Sequence, residues 1–573
     1  MKKIYVLTIL AGILATGCEK DYLNRYPEDQ PSSETYYTTA DQLILAINSS
    51  YSNLSYAQDG YPYQMQLEGT TDVMWQRPNT DAQVIGLGQH TPGTGMIRTI
   101  WTQSYSGIGK CNMLLANMEK ARSVTPAAVY RRIDGEARFL RAYYYGTLIS
   151  LFGDVPLVDK PLNAEDAFLP RTPKADVLNF IFRDLDSAAA KLSISYTGTD
   201  VGRATSTAAM AFKARIALYN EKWDIAAASA KQLMDLNYHS LYPNYRNLFM
   251  YAGEHSRESI FAFDYKQTVR VSATPQNMQA RNSSGFSGLV PTRAIGDSYE
   301  CTDGLTIDKS PLYSTADPFR NRDPRMRQTL LGDGDTWFGT GGMTFNMTFH
   351  PDSTTCTRYT PTVAKITNLE VTNAFSAYAG FVLKKYLDPA DMVLNTQSEL
   401  AFMLIRYAEV LLTYAEAKIE LNQIDATVLN AINQVRARAY GVSVGQTTLY
   451  PAVTTTSQAA LRSIVRRERK VELAGEGLRI FDIRRWKIGE KTMNGILFGK
   501  ALNRTIYYTL PKPVLDENSS PAYDSFNSLL AVVGNFKIMD NPRIFKSHHY
   551  LWPIPQTELD VNKNAGFTQN PGY

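Results

Sequence analysis

Histidine and cysteine are scarce in this chain, at 6 and 4 among 573 residues, which argues against a metal or redox centre as its organising feature. No charge sign dominates either. Lys and Arg total 59 against 55 Asp and Glu, a formal charge of +4, and no stretch gathers the positives, so a dedicated nucleic-acid binder is excluded. After residue 18 no apolar run reaches the ~20 residues that a membrane helix needs. Motifs that would announce chemistry are missing too: there is no HExxH, CxxC, GxSxG or GxxxxGK[ST]. What is present is 44% hydrophobic and 20% charged content, enough to bury a large core without disulfide or metal staples, together with 35 tyrosines.

The first eighteen residues carry a targeting pattern. Lys2 and Lys3 precede a short apolar stretch from Ile4 to Leu14, which ends in Leu14-Ala15-Thr16-Gly17-Cys18. Small residues at Thr16 and Gly17 suit a narrow peptidase cleft, and Cys18 offers a thiol for acylation. The stretch resembles a bacterial lipoprotein signal, with residues 1–17 removed and residues 18–35 forming a lipid-anchored tether. Glu19, Lys20 and Asp21 resemble the export signal of Bacteroidetes lipoproteins and point to the outer face of the outer membrane. The remaining Cys111, Cys301 and Cys356 are odd in number, which leaves a Cys301–Cys356 pair as the disulfide to test.

Periodicity then divides the chain. Leu43, Ile44, Ile47, Tyr51 and Leu54 recur at helical spacing, as do Trp101, Tyr105, Ile108, Asn112 and Leu115. A third helix spans Val129 to Phe152 with Gly153 as its stop, and Thr172-Pro173 begins a fourth. Residues 205–236 read as an antiparallel helix pair with a turn at Asn220-Glu221-Lys222, small alanines facing large side chains as in a tetratricopeptide repeat. Leu404 to Leu421 and Ala426 to Tyr440 repeat the arrangement. The predicted fold is mostly α, an interrupted helical-repeat body with few short strands. Its parts are an N-terminal helical region 36–237, an irregular insertion 238–399 read as the ligand-binding face, a second helical part 400–490 and a loop-rich C-terminal part 491–573.

Weak chemical signals have plain alternatives. Gly86-Leu87-Gly88 lacks the third glycine and preceding strand of a dinucleotide site, and reads as a loop. Asp333 and Asp335 could open a calcium loop, but Trp337-Phe338 follow where oxygen ligands are needed. Glu409, Glu416, Glu468, Glu472, Glu476 and Asp482 interleave with Arg406, Arg436, Arg438, Arg466, Arg469, Arg479 and Arg485, and read as ion pairs between helices.

Several stretches in order resemble the SusD/RagB family of Bacteroidetes outer-membrane lipoproteins. They are Cys18 to Pro27, Trp101 to Asn112, Gly135-Glu136-Ala137-Arg138-Phe139-Leu140-Arg141-Ala142, Phe152-Gly153-Asp154-Val155-Pro156, Asn321-Arg322-Asp323-Pro324-Arg325, Ile405 to Leu412, Asp482 to Trp486, and the closing Asn570-Pro571-Gly572-Tyr573. The resemblance implies four tetratricopeptide-like units carrying an irregular ligand face. It also implies a lid over a SusC-like TonB-dependent transporter that captures oligosaccharide for import, with no catalytic residue, cofactor or metal.

Within that frame a sugar site wants exposed aromatic platforms beside side chains that bond two hydroxyls. Asp72, Trp75 and Arg77 have this composition, and Trp337 with Phe338 falls in the family's other ligand-contacting region. Asp81, His90, Phe286, Tyr299 and Tyr359 are added candidates, whereas Trp101, Asn112 and Trp486 read as core. Capture of peptide, as in RagB-like members, and a ligand-free helical scaffold are the alternatives.

Overall fold

The computed structural model describes residues 36–54, 57–58, 60–376 and 378–573; the signal, Cys18 and the tether lie outside them. Helices dominate, and each begins and ends for local reasons. Helix α1 (Ala40–Tyr51) opens on a capping box in which Thr39 and Gln42 bond each other's backbone, and buries Leu43 and Ile47. Then come α2 (Gly95–Asn117), α3 (Ala127–Phe152), α4 (Lys174–Lys191), α5 (Ser206–Tyr219) and α6 (Trp223–Asp235). Helix α3 stops at Gly153, whose φ of 78° lies where a β-carbon is disfavoured. Helix α4 starts one residue later than the sequence suggests, with Pro173 as its N-cap.

Helices α5 and α6 form the antiparallel pair read from the sequence. Ala208, Ala211, Ala214 and Ala217 of α5 are all buried, because short side chains let neighbouring helices close in on it from several sides. The same economy appears at Gly107 of α2: a β-carbon there would sit 2.3 Å from the Tyr144 ring of α3. The second helical part comprises α7 (Tyr407–Glu420), α8 (Ala426–Ala439), α9 (Gln458–Glu472) and α10 (Arg479–Arg485). One core cluster runs through both parts, from Leu43 to Trp552 and Ile554. Among the described residues no helix is long and apolar enough to cross a membrane.

The strands are short and antiparallel. Those of three residues or more are β1 (Met74–Gln76), β2 (Ser259–Phe263), β3 (Leu289–Pro291), β4 (Thr336–Phe338), β5 (Thr344–Asn346), β6 (Thr355–Thr360), β7 (Ala364–Thr367), β8 (Phe402–Arg406), β9 (Gly495–Ala501) and β10 (Phe536–Arg543). Strands β4 to β7 make a four-stranded meander, while β1 pairs β3, β2 pairs β8 and β9 pairs β10. Cys111, Cys301 and Cys356 are buried free thiols. The Cys301–Cys356 pairing does not form: Cys301 packs with Ile307, Tyr313 and Leu515, and the Cys356 sulfur accepts from Asn282 Nδ2 at 3.6 Å.

The interleaved acids and arginines are ion pairs, but they lie inside the protein. Arg406 reaches Glu258 at 2.8 Å and Glu472 and Glu476 at 2.7 Å. Arg325 joins Asp323 to Glu468 and Glu472, and Arg485 joins Glu416 to Asp482. Burial opposes ionisation of Glu472, yet Arg438, Arg406 and Arg325 hold its carboxyl well below the ordinary range. Asp333 and Asp335 are structural as well. Asp333 accepts from the Phe349 backbone N–H at 2.7 Å and from the Tyr507 hydroxyl at 2.9 Å, and Asp335 pairs with Arg327 at 2.8 Å.

Candidate functional site

Strand β1 is clamped to β3 with Trp75 opposite Val290. This register turns the indole inward, where it is 1% exposed, and its Nε1 donates to Asp540 Oδ1 at 3.0 Å. Asp540 also accepts from Gln83 Nε2 at 2.9 Å and Arg543 Nε at 2.8 Å. Trp75 is therefore a floor, and the sequence expectation of an exposed platform at this residue is corrected. Its roof is Tyr378, with ring centroids 4.6 Å apart. The Lys537 ammonium lies 4.8 Å from the Tyr378 ring and donates to the Ala374 carbonyl at 3.1 Å.

Beside this stack the surface opens. The Arg77 guanidinium sits 5.5 Å over the ring of Phe375, which is 52% exposed. Arg281 is close enough that burial and the Arg77 charge together lower its pKa. Phe286, also exposed, follows on the same turn. Among the described residues Arg77, Arg281 and Lys537 have no carboxylate partner within 4.0 Å; Arg281 donates to the Gly285 carbonyl at 3.1 Å, and Arg77 is the cation that lies against the exposed phenyl ring. A sugar can lay its C–H face on such a ring while its hydroxyls accept from the cations.

The loop that carries Phe375 and Tyr378 continues through Ala379–Phe381 into the wall of a cavity of about 120 Å³. Tyr313, Phe319, Phe381 and Tyr508 give it aromatic sides, with Asp297 and Lys500 as polar groups. Lys500 donates its ammonium to the Glu370 carbonyl at 2.7 Å, and burial pulls its pKa down to about 8. Its backbone N–H donates to the Tyr378 carbonyl at 2.7 Å, so platform and cavity are fastened through one peptide.

The other sequence candidates are distributed elsewhere. Asp72 is buried in a bidentate pair with Arg479 at 2.8 and 2.9 Å and reaches Lys470 at 3.2 Å. Burial opposes its ionisation, but Arg479 and Lys470 hold the carboxyl well below the usual range. Trp337 is buried on β4 between the cations of Arg246 and Lys384, each 5.5 Å away. Phe338, one residue on, faces out, as does Tyr359 on β6. Asp81 bonds the Met96 N–H at 2.6 Å and caps the first turn of α2. His90 is buried, with Nε2 2.7 Å from the Tyr573 hydroxyl, and Tyr299 is fully enclosed. For Asp72, Trp75, His90, Tyr299 and Trp337 the expectation of exposure is corrected: each packs inside. The open surface keeps Arg77, Phe286, Phe338 and Tyr359.

Phe375, Tyr378, Arg281 and Lys537 were missed. Phe375 stood legible as an aromatic in a loop of small and polar residues, Asn373-Ala374-Phe375-Ser376. Lys537 carried no local signal, since only the β9–β10 pairing brings it to the site.

With the helical-repeat body and the aromatic, donor-rimmed surface in view, comparison with known proteins gives the family. Residues 248–573 match the SusD family, and residues 21–218 match a family described as starch-binding, associating with the outer membrane. The chain belongs to the SusD family. It is 25% identical to the SusD-like protein P25 of Formosa agariphila over 85% of this chain and 89% of that one. A crystal structure of a SusD-like carbohydrate-binding protein from Bacteroides fragilis superposes with a TM-score of 0.78 at 28% identity, covering 93% of this chain and 100% of that chain. A laminarin-binding SusD-like protein shares the fold at a TM-score of 0.61 and 20% identity, covering 93% of this chain and 99% of that one.

Proposed function

We propose that this protein is a cell-surface, lipid-anchored glycan receptor, fastened through Cys18, that acts as the lid of a SusC-like TonB-dependent transporter and delivers oligosaccharide for import. The observation that carries the glycan reading is the exposed Phe375 ring with the Arg77 guanidinium 5.5 Å from its centroid, set in a fold whose family is carbohydrate-binding. The aromatic cavity beyond the same loop extends this surface. An aromatic face with separate donors suits a ring of hydroxyls better than a peptide, which would use a strand edge or a deep groove.

The test is calorimetric titration of a panel of oligosaccharides and peptides into the wild-type protein and into Phe375→Ala. Binding of a glycan that weakens in the variant supports the reading; binding of peptides alone sinks it. Co-purification with a TonB-dependent transporter, and its loss from membranes in Cys18→Ala, tests the lid and the anchor.

A further inference from the structure

Glu370 lies in the short helix Leu369–Thr372, just before the loop that presents Phe375. Its side chain is fully enclosed and reaches the turn Arg281–Ser283, where Oε1 accepts the Asn282 backbone N–H at 2.8 Å. Its carbonyl accepts from the Ser376 hydroxyl at 2.8 Å and from the Lys500 ammonium at 2.7 Å. Asn282 completes the joint, with Nδ2 donating to Asn368 Oδ1 at 3.0 Å and Oδ1 accepting the Leu369 N–H at 2.7 Å. One residue thus ties the Phe375 loop to β9 through its backbone and to the Arg281 turn through its carboxyl.

That carboxyl is poorly provided for. Oε2 is buried with no hydrogen-bond partner, and Glu370 makes no ion pair among the described residues, whereas Asp72 has Arg479 and Lys470 and Glu472 has Arg325, Arg406 and Arg438. The charged and titratable groups that face it are Arg281 from the turn, Lys500 from β9 and the Cys356 thiol from β6. Behind them Arg77 acts on Arg281, and Lys537 and Asp333 act on Lys500. Both near cations are engaged on carbonyls, Arg281 on Gly285 at 3.1 Å and Lys500 on Glu370 itself. Burial outweighs the backbone N–H groups and these cations, and holds the carboxyl up to about 7. A charge formed there needs an answering cation, and Lys500 and Arg281 are the side chains placed to turn toward it. An ammonium drawn to the carboxylate leaves the carbonyl that it shares with Ser376, and the turn behind Phe375 loses an anchor.

We propose, resting on the glycan reading of this surface, that Glu370 is a positioning residue of the platform: protonated it keeps the Phe375 turn in place, and ionised it draws Lys500 away and weakens glycan binding. The receptor then has an affinity that falls as pH rises through neutrality, and it takes up protons when it binds above that point.

The test is calorimetric titration of neutral glucan, mannan and galactan hexasaccharides into the full chain at pH 6 and pH 8.5, in the wild type and in Glu370→Gln, which keeps the acceptor for Asn282 and cannot ionise. Wild-type affinity should fall about fivefold or more between the two values, with heats at pH 7.5 that vary with the ionisation enthalpy of the buffer. The variant should keep the pH 6 affinity at both values and show no buffer dependence. Thermal melts check the carboxyl without any ligand. An unfolded glutamate titrates near ~4.3, below the folded value of about 7, so the wild type loses stability relative to the variant as pH rises across that window. Parallel affinity profiles in the two proteins, or a melting difference that stays constant with pH, overturn the proposal. No binding of any hexasaccharide at pH 6 removes the glycan reading instead, and the role of Glu370 with it.

Discussion

Asp72 and Arg479 lie 407 positions apart in the chain and meet through two parallel N–H···O bonds of 2.8 and 2.9 Å. The pair is sealed from solvent, and Lys470 shares the carboxylate. Asp72→Ala would leave a guanidinium and an ammonium buried without a counter-charge, at a cost of ~3–5 kcal/mol. Urea denaturation should show the lowered midpoint. An unchanged midpoint would mean that the pair does not hold the fold.

Phe375 and Trp75 should separate recognition from stability. Phe375→Ala removes a half-exposed ring and should weaken glycan binding about fivefold to tenfold, worth ~1 kcal/mol, with no change in melting temperature. Trp75→Ala empties a buried site and strips Asp540 of a donor, and should cost ~3–5 kcal/mol of stability. The two variants exchange effects if Trp75 is the ligand platform after all.

Acid sensitivity should trace in part to two histidines. Burial and the charges of His549 and Arg484 bring His90 down to about 3, and burial with neighbouring His548 and Lys546 brings His549 to about 4. An unfolded histidine titrates near ~6.5. Above that value both states are neutral and nothing is lost. As pH falls from about 6.5 toward 3 the unfolded chain takes up protons that the folded one refuses, so stability falls with pH. His90→Asn should flatten the lower part of this dependence in thermal melts recorded from pH 7 to pH 4; an unaltered slope would remove His90 from the account.

Gly107→Ala should destabilise through contact alone. The added methyl would lie 2.3 Å from the Tyr144 ring, and forcing α2 from α3 should cost ~1–3 kcal/mol. A melting temperature equal to wild type would show that the ring swings aside freely.

Much of the body was legible because helices advertise themselves locally. Gly153 and the Asn220–Lys222 turn mark boundaries that need no distant partner to form. The site was less so. Trp75 and Trp337 sat in turn-rich sequence and were read as exposed, but a two-strand pairing for one and a four-strand meander for the other folded them inward. Short strands with distant partners leave little periodicity to read. Lys537 reaches Tyr378 only through the β9–β10 ladder, and Arg77 acquires its partner from residue 375. The acidic and basic residues of the second helical part were recognised as partners, but their burial was not, since the covering chain comes from around Glu258, Glu300 and Lys385.

The interior ion pairs also govern how the chain can be divided. Glu68 accepts three backbone N–H groups from Gly477, Leu478 and Arg479, Asp72 takes Arg479 itself, and Arg406 gathers acids from residues 258, 472 and 476. Cutting anywhere between these positions strands a charge or a carboxyl that has no local substitute. A fragment that ends before residue 477 would leave the Glu68 and Asp72 carboxyls without these partners, which should lower its stability. The C-terminal segment around residues 477–479 is thus a structural partner of the N-terminal part, and its deletion should destabilise both.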